Sequence, residues 1–497
     1  MQNNLFDLVK KSGLVFIGRI FGVFLGLIFN FIAARYLGAN TYGEFMFVFT
    51  IISFIPMILK LGLDQGLIAM IPRLSLLNKI NERNSTIAFS LLCVFILSSL
   101  FSLVVIIYNE WWAEVILNNS HLGRMLILMA PLIVLLSLQE LLKGVFRGID
   151  RVEKVVIVEN FIIPSLKIIL FLLCFFLGLE IQGIVVAFLL STFIGIFILL
   201  QSLFKAKTIS GLKFSYSGEY KKIFLFSLPL IITPSLVFII NQSDVFMIGY
   251  FLQEDDVGIY NIALRIGTMS SFILIAFNTM FAPLISTLYS KSDIKSIEYY
   301  YKIITKWILT VNLVFFSLIS LLSNQIMHLF GIEFVTGSVA LILISSGQVI
   351  NSAVGSAGYI IIMTDKGHYE LYNSLFMAIL NICLNLWLIP IYGINGAAIA
   401  SLVAVSIGNI IKLLIVYRNY RIHPYNSGYV KIMAIVSIVF IFVLGLKYTL
   451  NTYWLFELII FTTVYIFTFI LLYIKFALSN DDKMVIKNIF PKKFKQN

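Results

Sequence analysis

Residues 13–34 read GLVFIGRIFGVFLGLIFNFIAA, with Arg19 as the only charge. A hydrocarbon core about 30 Å thick is crossed by roughly 20 apolar residues in a helix, so this stretch reads as a membrane span. It is the first of about fourteen. The others fall near 43–71, 86–108, 124–145, 155–178, 183–204, 223–252, 258–288, 307–329, 338–363, 373–391, 394–417, 430–448 and 454–474. The 497 residues are 60% hydrophobic and 12% charged, which is the composition of a membrane protein. The expected fold class is all-α, a polytopic membrane protein with about 14 transmembrane helices, because only helices and closed barrels satisfy their backbone within lipid.

The net charge of +12 does not point to nucleic acid. The basic residues cluster in alternate connections: Arg73, Lys79 and Arg83; Arg147, Arg151 and Lys154; Lys205, Lys207, Lys213, Lys221 and Lys222; Lys291, Lys295, Lys302 and Lys306; Lys366; Arg418 and Arg421. The other connections carry Glu110, Glu114, Glu180, Glu254, Asp255, Asp256 and Glu333. The positive-inside rule places the basic set, and both termini, in the cytoplasm. The basic tail, 477–497, is expected against the anionic phospholipids of the inner leaflet. Leu5, Phe6, Leu8 and Val9 with Lys10 and Lys11 read as a short interfacial lead-in rather than a cleavable leader. Cys93, Cys174 and Cys383 lie within spans without metal-ligand spacing and read as small buried hydrophobes. The four histidines are scattered, and no phosphate-binding G-x-x-x-x-G-K-[ST] loop occurs. The expectation is a protein that is not an enzyme, needs no cofactor or metal, and does not use ATP directly.

An internal repeat organises the spans. Leu179-Glu-Ile-Gln-Gly183 resembles Tyr392-Gly-Ile-Asn-Gly396. At the same offset of 213 residues Asn160 pairs with Asn373, Ala187 with Ala400 and Gly195 with Gly408. Leu37 with Leu252 and Gly43 with Gly258 are offset by 215. Spans one to six therefore recur as seven to twelve, inserted the same way up, as in parallel-repeat transporters. The expected division is an N-lobe over 1–210, a C-lobe over 211–424, two additional helices over 425–476, and the tail. Two such lobes suit alternating access. Gly18, Gly22 and Gly26 in the first span, and Ser352, Gly355, Ser356 and Gly358 in the tenth, have the small-residue spacing of closely packed or sliding helices.

Ionisable groups within lipid are costly and usually face protein or a wet cavity. Lys167, near the middle of the fifth span, reads as lining a substrate cavity or as the partner of Glu159, two turns earlier. Arg19 and Arg265 read as cavity residues or as paired, snorkelling side chains, and Arg35 as interfacial. Lys60 with Asp64, and Glu140 with Lys143, have the spacing of structural pairs. The polar run Asn241-Gln-Ser-Asp244 must turn away from lipid, so Asn241 and Asp244 join the substrate-site candidates. Asp64, Glu159 and Asp244 are the candidate ion-coupling carboxylates. Gln348, Asn351, Asn381 and Asn385 could hydrogen-bond a sugar or neighbouring helices. Cations outnumber unpaired acids, which suits an anionic substrate such as a diphosphate head group.

The runs Ala34-Arg-Tyr-Leu-Gly38, Tyr42-Gly-Glu-Phe45, Lys60-Leu-Gly-Leu63 and Ile71-Pro-Arg73 resemble the opening of the polysaccharide biosynthesis, or O-antigen flippase, family. Val257-Gly-Ile-Tyr260, Leu329-Phe-Gly-Ile-Glu-Phe334 and Ile389-Pro-Ile-Tyr-Gly-Ile-Asn-Gly-Ala397 extend the resemblance along nearly the whole chain. That family stands with lipid II flippases and multidrug exporters in one superfamily. The resemblance implies a bacterial inner-membrane flippase for an undecaprenyl-diphosphate-linked oligosaccharide, driven by an ion gradient and working beside glycan polymerase or assembly proteins. It also implies cavity roles for Arg19 and Arg265. An ion-driven exporter of small molecules and a membrane glycan polymerase or ligase remain the alternatives.

Overall fold

The computed structural model describes residues 2–205, 219–450, 453–478 and 482, with side chains from Ile17 onward except at 219, 233 and 427. Lys207 and Lys213, the side chains of the N-terminal lead-in, and all of the tail beyond 478 except Asp482 lie outside the described residues. Every described regular element is helical. In order they are α1 (Gln2–Leu59), α2 (Leu63–Leu76), α3 (Ile80–Ile107), α4 (Asn109–Trp111), α5 (Gly123–Met129), α6 (Pro131–Gly148), α7 (Val152–Ile157), α8 (Ile163–Phe176), α9 (Ile181–Lys205), α10 (Glu219–Ser227), α11 (Ile232–Phe251), α12 (Glu254–Gly267), α13 (Ser271–Ser290), α14 (Ile294–His328), α15 (Ser338–Val354), α16 (Ala357–Met363), α17 (Gly367–Tyr392), α18 (Ile394–Tyr420), α19 (Ser427–Thr449) and α20 (Trp454–Leu472).

Twelve helices are long and apolar enough to cross a membrane, or thirteen when the pair bent by 47° at Met129–Pro131 counts as one span. One of the twelve is Ile17–Leu59, 43 residues long. It is not straight. Gly38 has φ 74° and ψ 172°, a conformation that glycine adopts without steric cost. Tyr42 Oη lies 2.9 Å from Asn30 Oδ1, whereas twelve residues of straight helix span about 18 Å. Phe29 and Phe45, on either side of Gly38, both pack on Phe188, with ring centroids 5.5 and 4.9 Å away. The chain therefore doubles back at Gly38. Counted as two limbs, with the bent pair as one span, the helices reach the fourteen expected from sequence.

Several expected spans are interrupted. The second, 43–71, breaks where Leu61 and Gly62 take left-handed conformations between α1 and α2. The eighth breaks at residues 268–270, between α12 and α13. The tenth breaks at Gly355–Ser356, between α15 and α16. Hydropathy is blind to such breaks, because a residue's apolarity says nothing of its φ.

The chain divides by packing into two compact units, Met1–Asn261 and Ile262–Asn497. In the first, Leu63, Leu67, Leu141, Val145, Phe146 and Leu199 belong to one buried cluster joining α2, α6 and α9. In the second, α14 anchors two clusters. One includes Tyr301, Ile360 and Val416, and the other Leu321, Val436 and Tyr465. The ammonium of Lys306 on α14 meets the carboxylate of Asp482 at 2.8 Å, both groups buried. Trp307 Nε1 and Tyr473 Oη also donate to Asp482, at 2.7 and 3.3 Å.

Within the first unit Gly43 and Gly258 lie backbone to backbone. A Cβ on Gly43 would collide with the Glu254 carbonyl, and one on Gly258 with the Ala39 carbonyl. Residues 39 and 43 correspond to 254 and 258 at the repeat offset of 215. The contact is thus reciprocal, as at a two-fold axis, where i meets j′ and j meets i′. Of the small-residue run in the first span, Gly18 and Gly22 pack closely on Val156 and Asn160, whereas nothing lies within 4 Å of a Cβ on Gly26. Because carbonyls cannot give way as a side-chain tip can, Gly43→Ala should cost about 1–3 kcal/mol or more. It should lower the melting temperature in detergent by several degrees, with Gly26→Ala unchanged.

Candidate functional site

The first unit gathers most of the charged candidates. Lys167 sits on α8, half-buried. Its Nζ stands 3.5 Å from the centroid of the Phe188 ring and 5.7 Å from that of Phe29. Phe188 is itself surrounded by Phe29, Phe45 and Phe49. An ammonium over a ring face gains about 0.5–2 kcal/mol, more where water is scarce. The cluster of rings therefore holds a cation inside an apolar span.

Glu159 is engaged elsewhere, which removes the pairing with Lys167, one of the two readings of their two-turn spacing. Its carboxylate meets the Lys143 ammonium, and Lys143 also meets Glu140 at 2.7 Å. The physical reason is the π-helical turn over Val158–Ile162, which rotates Glu159 relative to the helix that follows. The Glu140–Lys143 pair is as expected. Lys60 and Asp64 also pair, at 2.9 Å, both buried. They do so across the break at Leu61–Gly62 rather than along a helix.

Next to Phe29, a buried polar chain runs through α1, α11 and α12. Tyr42 Oη lies 2.9 Å from Asn30 Oδ1 and 3.4 Å from Asn261 Oδ1. Tyr260 Oη donates to Asp244 Oδ2 at 2.7 Å, and Asp244 is 2% exposed. Asp244 thus turns inward, as the polar run requires. Asn241 is exposed, and its Nδ2 donates to the Val237 carbonyl at 2.8 Å. Arg19 and Arg35 on α1 are exposed. In the second unit Arg265 on α12 is exposed as well.

The amide candidates of the second unit bond to one another and to a neighbouring helix. Asn351 Nδ2 donates to Gln348 Oε1 at 3.4 Å, Asn385 Nδ2 to Asn381 Oδ1 at 3.1 Å, and Asn381 Nδ2 to Ser401 Oγ at 3.2 Å. Among the described residues no group of three His, Cys, Asp or Glu side chains could hold a metal ion. Sequence reasoning missed Asn30, Tyr42, Tyr260 and Asn261 as a network. The available signal was that Tyr42 and Tyr260 flank the two repeat-related glycines.

These features define a polytopic helical membrane protein with charged and polar groups clustered inside its spans. The fold is that of known transporters. It is similar to the lipid II flippase MurJ (TM-score 0.70, 16% identity, covering 96% of this chain and 100% of that one). It is also similar to an inward-facing multidrug resistance MATE family transporter of the MOP superfamily (TM-score 0.68, 16% identity, 80% and 94% covered). The polysaccharide biosynthesis protein family matches residues 8–289, and the chain belongs to it. The MatE family matches residues 229–387. The chain is also similar to the probable low-salt glycan biosynthesis flippase Agl15 of Haloferax volcanii, 24% identical over 417 residues, 82% of each chain.

Removing one member of a buried ion pair strands the other, at a cost of about 3–5 kcal/mol. Lys60→Met should therefore destabilise the protein strongly in a thermal melt. The double substitution Lys60→Met with Asp64→Leu should recover most of the loss, since an apolar replacement of the whole pair strands nothing.

Proposed function

We propose that this chain is a flippase for a polyisoprenyl-diphosphate-linked oligosaccharide, moving it across the bacterial inner membrane by alternating access. Undecaprenyl diphosphate is the expected carrier, and the cargo a repeat unit of O-antigen, capsule or exopolysaccharide. The observation that carries the reading is Lys167, a cation within the span Val152–Phe176, held against the Phe188 ring. An ammonium in such a setting binds phosphate oxygens far more strongly than one in water. Family membership and the glycan-flippase relative support the same class. Arg19 in the first unit and Arg265 in the second, both exposed on their helices, are each proposed to contact the substrate.

The proposal carries the orientation set by the basic connections, with both termini in the cytoplasm. It assigns no bond-making chemistry to the protein, which works beside separate polymerase or assembly proteins. Coupling to an ion gradient would run through a carboxylate. Of the candidates Asp64, Glu159 and Asp244, the coupling carboxylate proposed is Asp244, which is buried within its span and accepts from the Tyr260 hydroxyl.

Lys167→Ala and Arg265→Ala should each reduce surface glycan export tenfold or more while protein abundance stays at the parent level. Lys167→Arg should retain a substantial share. Parent-level export in both alanine variants would overturn the reading.

A further inference from the structure

The bend between α5 and α6 opens a groove of about 570 Å³ in the first unit. Its walls are Phe95, Ser99 and Leu103 on α3 and Leu190 and Phe193 on α9, with Pro131 and Leu135 of α6 between them. The volume lies in the range of small-molecule sites, about 300–1,000 Å³. The lining is almost wholly apolar. Ser102, also at the groove, spends its hydroxyl on the Ala130 carbonyl at the bend, 2.9 Å away. α3 and α9 are membrane-spanning by length and hydropathy, so the medium outside the groove is hydrocarbon.

One stripe of residues leads into it. Arg124, Ile127, Leu128 and Pro131 are all exposed, while 125, 126, 129 and 130 are buried. This is the three-and-four spacing of one helix face. Val134 and Leu135 continue the same stripe into the groove. Arg124 thus stands about 10 Å along the helix from Pro131. Its depth is marked by its neighbours. Gly123 packs on Asn109, two residues before the exposed Trp111 and its partner ring Trp112. Tryptophans of this kind settle at the boundary between hydrocarbon and head groups. Arg124 makes no hydrogen bond or ion pair among the described residues.

We infer that this groove holds the hydrocarbon chain of a polyisoprenyl phosphate, with its phosphate on Arg124. A guanidinium grips phosphate oxygens through two parallel hydrogen bonds, at the level where a lipid head group lies. An apolar chain gains nothing by leaving lipid for an apolar groove. Retention must therefore come from the charged head at one end and the fit of the chain at the other. The choice of a polyisoprenyl chain rests on the flippase reading. With the orientation proposed above, the site lies in the outer half of the membrane, where the carrier's monophosphate is left once its glycan has been transferred away and one phosphate hydrolysed from the diphosphate.

The test uses the full-length protein in nanodiscs containing undecaprenyl phosphate and phosphatidylglycerol at equal levels. Native mass spectrometry reads which lipid stays bound. The parent protein should retain undecaprenyl phosphate at least fivefold over phosphatidylglycerol. Arg124→Gln, which removes the head contact, and Leu190→Trp, which fills the groove, should each abolish that preference. Leu414→Trp, at an exposed position on α18, should preserve it and reports on folding. Equal retention of the two lipids, or a preference untouched by both groove variants, overturns the assignment. Glycan translocation is measured separately in proteoliposomes. A protein that translocates but shows no preference loses the groove and keeps the flippase reading. Selective retention lost in both variants, without translocation, keeps the groove and loses the flippase reading.

Discussion

Hydrocarbon offers no hydrogen bonds, so each interruption of a membrane helix must be answered by the protein itself. Three breaks in this chain show how. At the bend before Pro131, the Ala130 carbonyl accepts from Ser102. Where α15 ends, the Val354 carbonyl accepts from Tyr301, 2.7 Å away. Beside the non-helical Leu322 in α14, the Leu321 carbonyl accepts from Lys447. Breaks that would be open wounds in lipid become fixed features, and the groove at Pro131 is one product of this arrangement.

The same constraint sorts the charges. Lys60 with Asp64 and Lys306 with Asp482 are buried pairs whose members neutralise each other. Glu140 and Glu159 share Lys143. The ammonium of Lys167 is laid on the face of a phenylalanine ring. A ring quadrupole stabilises a cation within an apolar span.

The hairpin at Gly38 and the contact between Gly43 and Gly258 show the repeat at work. Both glycines sit where a Cβ would strike a carbonyl, and each meets the counterpart of the other's partner. Glycine spacing at one constant offset was visible along the chain. That the two glycines touch each other was not, because an offset reports equivalence and carries no distance.

Composition and the length of apolar runs determined the class of fold, since a bilayer accepts few other ways to satisfy a backbone. Glycine and asparagine matches at a constant offset gave the repeat, the apolar runs the number of spans, and the i, i+4 spacing the pairing of Lys60 with Asp64. Tertiary structure alone decided which spans break, because left-handed turns at Leu61 and Gly62 and the π-turn at Glu159 leave no mark on hydropathy. It alone decided that Glu159 turns to Lys143 while Lys167 turns to Phe188, residues on other helices. Spacing along a chain fixes only neighbours on one helix face; the side chain that a charge meets across lipid depends on how the helices pack.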